Sequence, residues 1–394
     1  MKKIALVGLY SIPNMGDQIL CDVTHYLIRD ICGSDAEIVP VDVCPRYKED
    51  YKGLEYIKYR ISRKMKTIGE RNFEYKNSSK FRYRYEYFYW WLRLNRYYRK
   101  ILKGVDAIVF AGGGFLKFRT QGLNYYVEQI VKIASKRKIP VMMNGVGVEG
   151  FDLNDIRCRN LRKVVNSDCV KVITTRDDIQ TVREGYVTNP SIKTDRVGDP
   201  ALWIPECYHV QRSSSPEKIG INVIRGKVYQ DYGNKSSPDE LTEFYMKLIR
   251  TAQDKKMDWV LFSNGMKGDQ KFGIELLEKM DLPVEGNLLP APKRPEDLIE
   301  MIRGFKGVFG ARLHACITAY SLGVPVVGLI WNEKARFFAE ITNKSSLFFE
   351  EGEMDPEKIL DRLNESLSEK DDQATRDRLK GKTRAYLSDF LQSL

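Results

Sequence analysis

Several things are missing from this chain of 394 residues, and each absence narrows what it can be. No apolar run approaches the roughly 18 residues of a membrane-spanning helix. Met1-Lys-Lys leads directly into a strand-like run, so neither a transmembrane segment nor a secretory leader is expected. Histidine is scarce: His25, His209 and His314 are far apart and none lies in a His-Glu-x-x-His pattern, which argues against a dedicated transition-metal centre. The seven cysteines (Cys21, Cys32, Cys44, Cys158, Cys169, Cys207 and Cys316) are odd in number and form no Cys-x-x-Cys pair. They read as small hydrophobes of a reducing cytosol rather than as a disulfide set or a zinc site. The first strand-to-helix turn has no Gly-x-Gly-x-x-Gly, which disfavours a dinucleotide domain of the common kind. There is no fixed-period repeat and no low-complexity segment.

A hydrophobic content of 43% is ample for two cores, and the length points to two domains of roughly 150–200 residues each. The net charge of +11 is local. Between Tyr56 and Lys103 lie 15 Lys/Arg, three Glu and 14 aromatic residues, so the rest of the chain is close to neutral. Arginine interleaved with aromatics suits single-stranded nucleic acid by stacking and phosphate neutralisation. It suits an interfacial helix on anionic lipid better, because nothing else resembles a nucleic-acid module. A third reading is a long helix that packs its Tyr and Trp on the domain and turns Arg and Lys to water.

Strand, glycine turn and helix alternate along the chain, the pattern of a doubly wound parallel sheet. Lys2 to Tyr10 reads as a buried strand, followed by the turn Asn14-Met-Gly16-Asp17 and a helix from about Gln18 to Cys32. That turn places backbone N–H groups and one carboxylate above the sheet, although Asp17 also suits a simple helix cap. Val105 to Phe110 is a strand ending in Gly112, Gly113 and Gly114, which let the backbone approach a ligand closely. Arg176 sits just past the strand Val170 to Thr174. The polar stretch Gln211 to Pro216 is the best linker, and a fresh series of strands and helices begins at Lys218. Residues 1–210 are therefore expected to form an N-terminal α/β domain with the basic aromatic insertion at about 50–103. Residues 217–375 are expected to form a second α/β domain, and 376–394 a C-terminal helix packing back across the molecule.

Gly307 to Lys334 reads as a short strand, a turn, a helix and a second buried strand, Pro325 to Ile330. Arg312 and His314 fall where the first strand gives way to the helix, the end of an open α/β sheet at which ligands collect. A helix amino terminus attracts anions through its free N–H groups and dipole. A capping arginine and a buried core histidine would satisfy the same spacing, but Lys334 closes the next turn of the unit and favours an anion site.

Asn14-x-Gly16-Asp17, the glycines at 112–114, Thr-Arg176-Asp, Gly-Asp199-Pro, Gly-Ala-Arg312-Leu-His314-Ala, Gly-Val-Pro-Val-Val-Gly and Lys334, taken in order, resemble the polysaccharide pyruvyl transferases. The resemblance runs from about residue 3 to 345 and leaves the basic aromatic tract unexplained. It implies two Rossmann-like domains facing a cleft, a GT-B-like architecture with the acceptor on the N-terminal side and the donor on the C-terminal side. It also implies transfer of pyruvyl from phosphoenolpyruvate to two hydroxyls of a sugar as a cyclic ketal. Arg312, His314 and Asp17 would be catalytic, and Asn14, Gly16, Gly112, Gly113, Gly114, Arg176 and Lys334 would bind substrate. The chemistry asks for no metal and no cofactor. The acceptor would be a cell-surface polysaccharide sugar or its lipid-linked precursor, met at the cytoplasmic face of the membrane, where the Tyr56–Lys103 tract would dock. Nucleic acid is not expected as a partner.

Two rivals use the same fold. A nucleotide-sugar glycosyltransferase requires an acidic ribose-binding residue, for which only Glu333 offers itself. A non-catalytic carbohydrate- or membrane-binding scaffold would have little reason to keep Asp17, Arg312, His314 and Lys334 together.

Overall fold

Two parallel sheets organise the chain. The computed structural model describes residues 1–43, 45, 80–119 and 122–394. They divide into two compact units. The first comprises Met1–Ser11, Thr24–Val197 and Thr383–Leu394; the second comprises Ile12–Val23 and Gly198–Lys382.

The first unit contains β1 (Lys2–Gly8), β2 (Ala36–Asp42), β3 (Ala107–Ala111), β4 (Leu116–Lys117), β5 (Val141–Val146), β6 (Val148–Glu149), β7 (Val170–Thr175) and β8 (Lys193–Arg196). Six of them form an all-parallel sheet in the order β2-β1-β3-β5-β7-β8. Ile4, Ala5, Leu6 and Val7 are fully buried, as a strand covered on both faces requires, so its apolar run is continuous rather than alternating. The strand order reverses between β1 and β3, and the turns after these strands mark the unit's switch point.

The second unit contains β9 (Ile219–Asn222), β10 (Trp259–Phe262), β11 (Gly307–Gly310), β12 (Val326–Ile330) and β13 (Phe348–Glu350), parallel in the order β10-β9-β11-β12-β13. Here the reversal falls between β9 and β11. Ser237 and Glu240 form a capping box that starts the helix Pro238–Asp254, and Pro295 opens the helix Pro295–Arg303. A further helix of this unit is Lys267–Lys279.

Both far-edge strands were absent from the sequence expectation. β8 is Lys193-Thr-Asp-Arg196, without an apolar pattern of its own, and it is recruited by the exposed backbone of β7. The segment around Leu288 makes a single bridge to Leu261.

The last helix is Gln373–Gln392, and the chain's final segment packs on the first unit. Leu387, Phe390 and Leu391 are buried, Tyr386 donates to Asp195 Oδ2 at 2.8 Å, and Lys2 Nζ donates to the Leu391 carbonyl at 3.0 Å. Among the described residues the six cysteines form no disulfide, and Cys21, Cys158, Cys169 and Cys316 are buried; Cys44 lies outside the described residues.

Candidate functional site

β9 ends at Asn222, a fully buried amide that ties three strand ends together. Its Nδ2 donates to the Phe262 carbonyl (3.2 Å) and to Asn264 Oδ1 (3.0 Å), while its Oδ1 accepts the backbone N–H of Arg312 (2.9 Å). Arg312 thereby enters the helix Leu313–Ser321 from a fixed, extended backbone. Its side chain grips Asp269 with two parallel bonds, Nε to Oδ2 and Nη2 to Oδ1, both at 2.8 Å. Asp269 lies in the first turn of the helix Lys267–Lys279, where the helix dipole favours a carboxylate, and it is wholly buried.

The same carboxylate holds a second guanidinium. Asp269 Oδ1 accepts from Arg225 Nη1 at 3.2 Å and from the Arg225 backbone N–H at 3.3 Å. Arg225 follows β9 and Arg312 follows β11, so the two cations flank the switch point of this sheet. Charge-assisted bonds are worth roughly 1.5–3 kcal/mol each, but desolvating the partners offsets much of that. The chief consequence is therefore positional: one carboxylate neutralises one of two positive charges and orients both planes. The Arg312 and Arg225 side chains keep 17% and 35% exposure, enough to present N–H edges to an anion. Trp331, at the end of β12, flanks Arg312 with its ring centroid 5.8 Å from Cζ, and its indole N–H donates to the Ala311 carbonyl at 2.5 Å.

Asn14, Gly16 and Asp17 are expected on the N-terminal domain by their place in the chain, whereas their packing assigns them to the second unit. The Met15 N–H donates to the Asn264 carbonyl at 3.1 Å, and Gly16 lies directly against His314. A Cβ on Gly16 would fall 2.2 Å from His314 Cγ and 2.4 Å from Nδ1, so only glycine admits the imidazole. His314 is itself buried, in the first turn of its helix. Asn14 Nδ2 donates to Asp17 Oδ2 at 2.8 Å, and the Asp17 N–H donates to the Asn14 carbonyl at 3.1 Å, so Asp17 is oriented by Asn14 in the first turn of the helix Met15–Cys32. Lys334 opens the helix Glu333–Ile341 just beyond β12, behind the Asn332 cap that accepts from the Ala335 N–H.

The remaining expected residues belong to the first unit. Gly112 and Gly113 have φ of 63° and 77°, left-handed conformations that glycine adopts without strain. Gly112 N–H donates to the Asn144 carbonyl (2.9 Å), and the Gly113 carbonyl accepts from Gly147 (2.6 Å), so the turns after β3 and β5 run side by side into the β4–β6 pair. Arg176 is buried after β7, with Nε 3.8 Å from Asp177 Oδ1, and Asp177 Oδ2 is held by the Val148 N–H at 3.0 Å. Asn144, inside β5 two residues before its end, is fully buried, and neither polar atom of its side chain has a hydrogen-bond partner among the described residues. Among those residues no group of three or more His, Cys, Asp or Glu is arranged to hold a metal ion.

Sequence reasoning missed Asn222, Arg225, Asp269 and Asn144. The signal for Asn222, Arg225 and Asn144 was their place near the carboxyl end of a strand. Asp269 had none beyond an acidic residue early in a helix.

The family model for polysaccharide pyruvyl transferase matches residues 14–333. No curated protein matches the chain. Among solved structures, the UDP-GlcNAc 2-epimerase of Methanocaldococcus jannaschii, in complex with UDP-GlcNAc and UDP, is similar at 15% identity and a TM-score of 0.55, with 100% of each chain covered. The Neisseria meningitidis UDP-GlcNAc 2-epimerase bound to UDP-GlcNAc is 9% identical, with a TM-score of 0.56 over 100% of each chain. The Rickettsia bellii UDP-N-acetylglucosamine 2-epimerase is 14% identical, with a TM-score of 0.52 over 100% of this chain and 96% of its own. At such identities the likeness is one of fold: two Rossmann-like units of GT-B type.

Proposed function

The chain belongs to the polysaccharide pyruvyl transferase family, and we propose that it moves the pyruvyl group of phosphoenolpyruvate onto two hydroxyls of one sugar, forming a cyclic ketal and releasing phosphate. The observation that carries this reading is the pair of guanidiniums, Arg225 and Arg312, held by one buried carboxylate at the switch point of the second sheet.

Phosphoenolpyruvate brings a phosphate and a carboxylate on three carbons and needs several cationic donors in a small space. Arg312, Arg225 and Lys334 supply them, with guanidinium planes suited to paired oxygens. Protonation of the methylene carbon makes the neighbouring carbon an oxocarbenium-like electrophile. One sugar hydroxyl attacks it, phosphate leaves with its bridging oxygen, and a second hydroxyl closes the ketal. The two hydroxyl protons are accounted for by the new methyl group and the departing phosphate. His314 is assigned the proton transfer or a bond to the phosphate, and Asp17, oriented by Asn14, is assigned the acceptor hydroxyl. Gly16 lets the imidazole close on this turn. Gly112, Gly113, Gly114 and Arg176 are assigned to substrate binding on the first unit. Guanidinium and ammonium groups carry the charge neutralisation, so phosphoenolpyruvate enters as a substrate and no cofactor is invoked.

Among the described residues no helix is long and apolar enough to cross a membrane. We assign the reaction to the cytoplasmic face, on a cell-surface polysaccharide sugar or its lipid-linked precursor.

The nucleotide-sugar alternative draws on the fold shared with enzymes that bind UDP-GlcNAc. Its ribose clamp would fall to Glu333, whose Oε2 lies 3.3 Å from Arg336 Nε. Thermal unfolding of the full chain with phosphoenolpyruvate or UDP-GlcNAc decides between them, since ligand at about 100 times its Kd stabilises by roughly 2.7 kcal/mol. The expected result is an upward shift with phosphoenolpyruvate alone; a shift with UDP-GlcNAc alone would overturn the reading.

A further inference from the structure

We propose that the outward face of the helix Lys80–Ile101 is a docking surface for an anionic lipid bilayer, an inference that does not depend on the reaction assigned above. The part of the basic tract before Lys80 lies outside the described residues, so only this helix carries the argument.

The inner face of the helix is fully engaged. Tyr83 donates to Glu128 Oε2 at 2.5 Å, and Tyr98 donates to the Val43 carbonyl at 2.6 Å. Tyr97 accepts the Asp42 N–H at 3.1 Å, and Glu86 accepts from Tyr125. Trp90 meets Tyr126 edge to face at 5.0 Å. These contacts satisfy the reading in which the aromatics merely pack on the domain, but only for one side of the helix.

The other side is different. Seven large hydrophobic side chains are exposed among the described residues, and three are on this helix: Phe81 (80%), Phe88 (52%) and Trp91 (40%). With Arg84 they fall at spacings of three and four residues, which places them on one stripe. The rings of Phe88 and Trp91 lie 6.1 Å apart and nearly parallel. Every exposed charge on the helix is positive: Lys80, Arg84, Arg96, Arg99 and Lys100. Glu86, its lone carboxylate, is part-buried and paired with Arg82 at 3.0 Å.

A basic helix whose aromatics face outward has the chemistry of a bilayer interface, with rings at headgroup depth and cations on anionic lipid. Single-stranded nucleic acid, which stacks bases on aromatic rings beside cations, is the competing occupant and an outcome of the test below.

The test is co-sedimentation of the full-length protein with vesicles of phosphatidylcholine alone or mixed with phosphatidylglycerol. Wild type is expected to bind the anionic vesicles, to bind neutral ones about tenfold more weakly, and to be released by salt. The triple variant Phe81→Ser/Phe88→Ser/Trp91→Ser and, separately, Arg84→Glu/Arg96→Glu with all aromatics intact are each expected to reduce binding by about tenfold or more. The second variant leaves the apolar stripe untouched, so the surface can still be tested if the first folds poorly. Unchanged sedimentation of both variants, no sedimentation of wild type, or capture of a single-stranded oligonucleotide by the same stripe would each overturn the proposal.

Discussion

Asp269 and Arg312, 43 residues apart in sequence, meet in a two-pronged ion pair in which the carboxylate is wholly buried, and Arg225 joins the same carboxylate. Removing Asp269 strands two guanidiniums, and breaking such buried pairs costs about 3–5 kcal/mol. Asp269→Ala is therefore expected to lower the unfolding free energy by that order. Asp269→Asn keeps the shape but loses the charge, and is expected to weaken phosphoenolpyruvate binding with a smaller loss of stability. Titration calorimetry and denaturant unfolding check both halves. An Asn variant with wild-type affinity would mean that Asp269 does not position the donor site.

The contact between Gly16 and His314 invites a double-mutant cycle. Gly16→Ala puts a methyl group inside the imidazole's space, and overpacking of this kind costs about 1–3 kcal/mol. Pairing it with His314→Ala makes room for the methyl, so the two effects on stability are expected to be strongly non-additive. Additive losses would contradict the observed contact.

His314→Ala is expected to lower kcat for phosphate release from phosphoenolpyruvate and acceptor by about 10²–10⁴-fold, the usual range for a lost proton-transfer group. Near-normal turnover would remove the central assignment of the proposed function.

Asp155 caps the helix Ile156–Val165 and is paired with Arg157 at 2.6 Å. Burial pushes its carboxyl up, but the bonds from the Arg157 side chain and backbone prevail and hold it below the ordinary value of 3.8. A lowered folded value means that the ionised form stabilises the fold above the unfolded value, and that this contribution is lost as pH falls through the folded one. Asp155→Ala is expected to cost about 0.5–2 kcal/mol at neutral pH as a lost cap. The charge-dependent gap between wild type and Asp155→Asn should close in acid below 3.8, as read by urea unfolding across pH. A gap that persists there would place the effect in packing instead.

How much was legible in the chain followed from how local the cause was. Buried parallel strands are covered on both faces, so Ile4–Val7 and Val326–Leu329 announce themselves as continuous apolar runs, and the residues next to their ends are read with them. Arg312, His314 and the glycines at 112–114 were singled out as candidates in that way, and the two-sheet α/β fold was read from the same runs. Tertiary structure decided whatever depended on pairing across loops. The edge strand Lys193–Arg196 exists because β7 offers an unpaired backbone, not because its own residues demand it. Asn14–Asp17 belongs with the second unit because Gly16 fits His314, some 300 residues later, a contact that no periodicity encodes. The basic aromatic helix needed both: its composition named a surface, but only packing against Tyr125, Tyr126 and Glu128 showed which aromatics are satisfied inside and which face water. Asp269 is the plainest case, an unremarked acid until folding set two arginines around it.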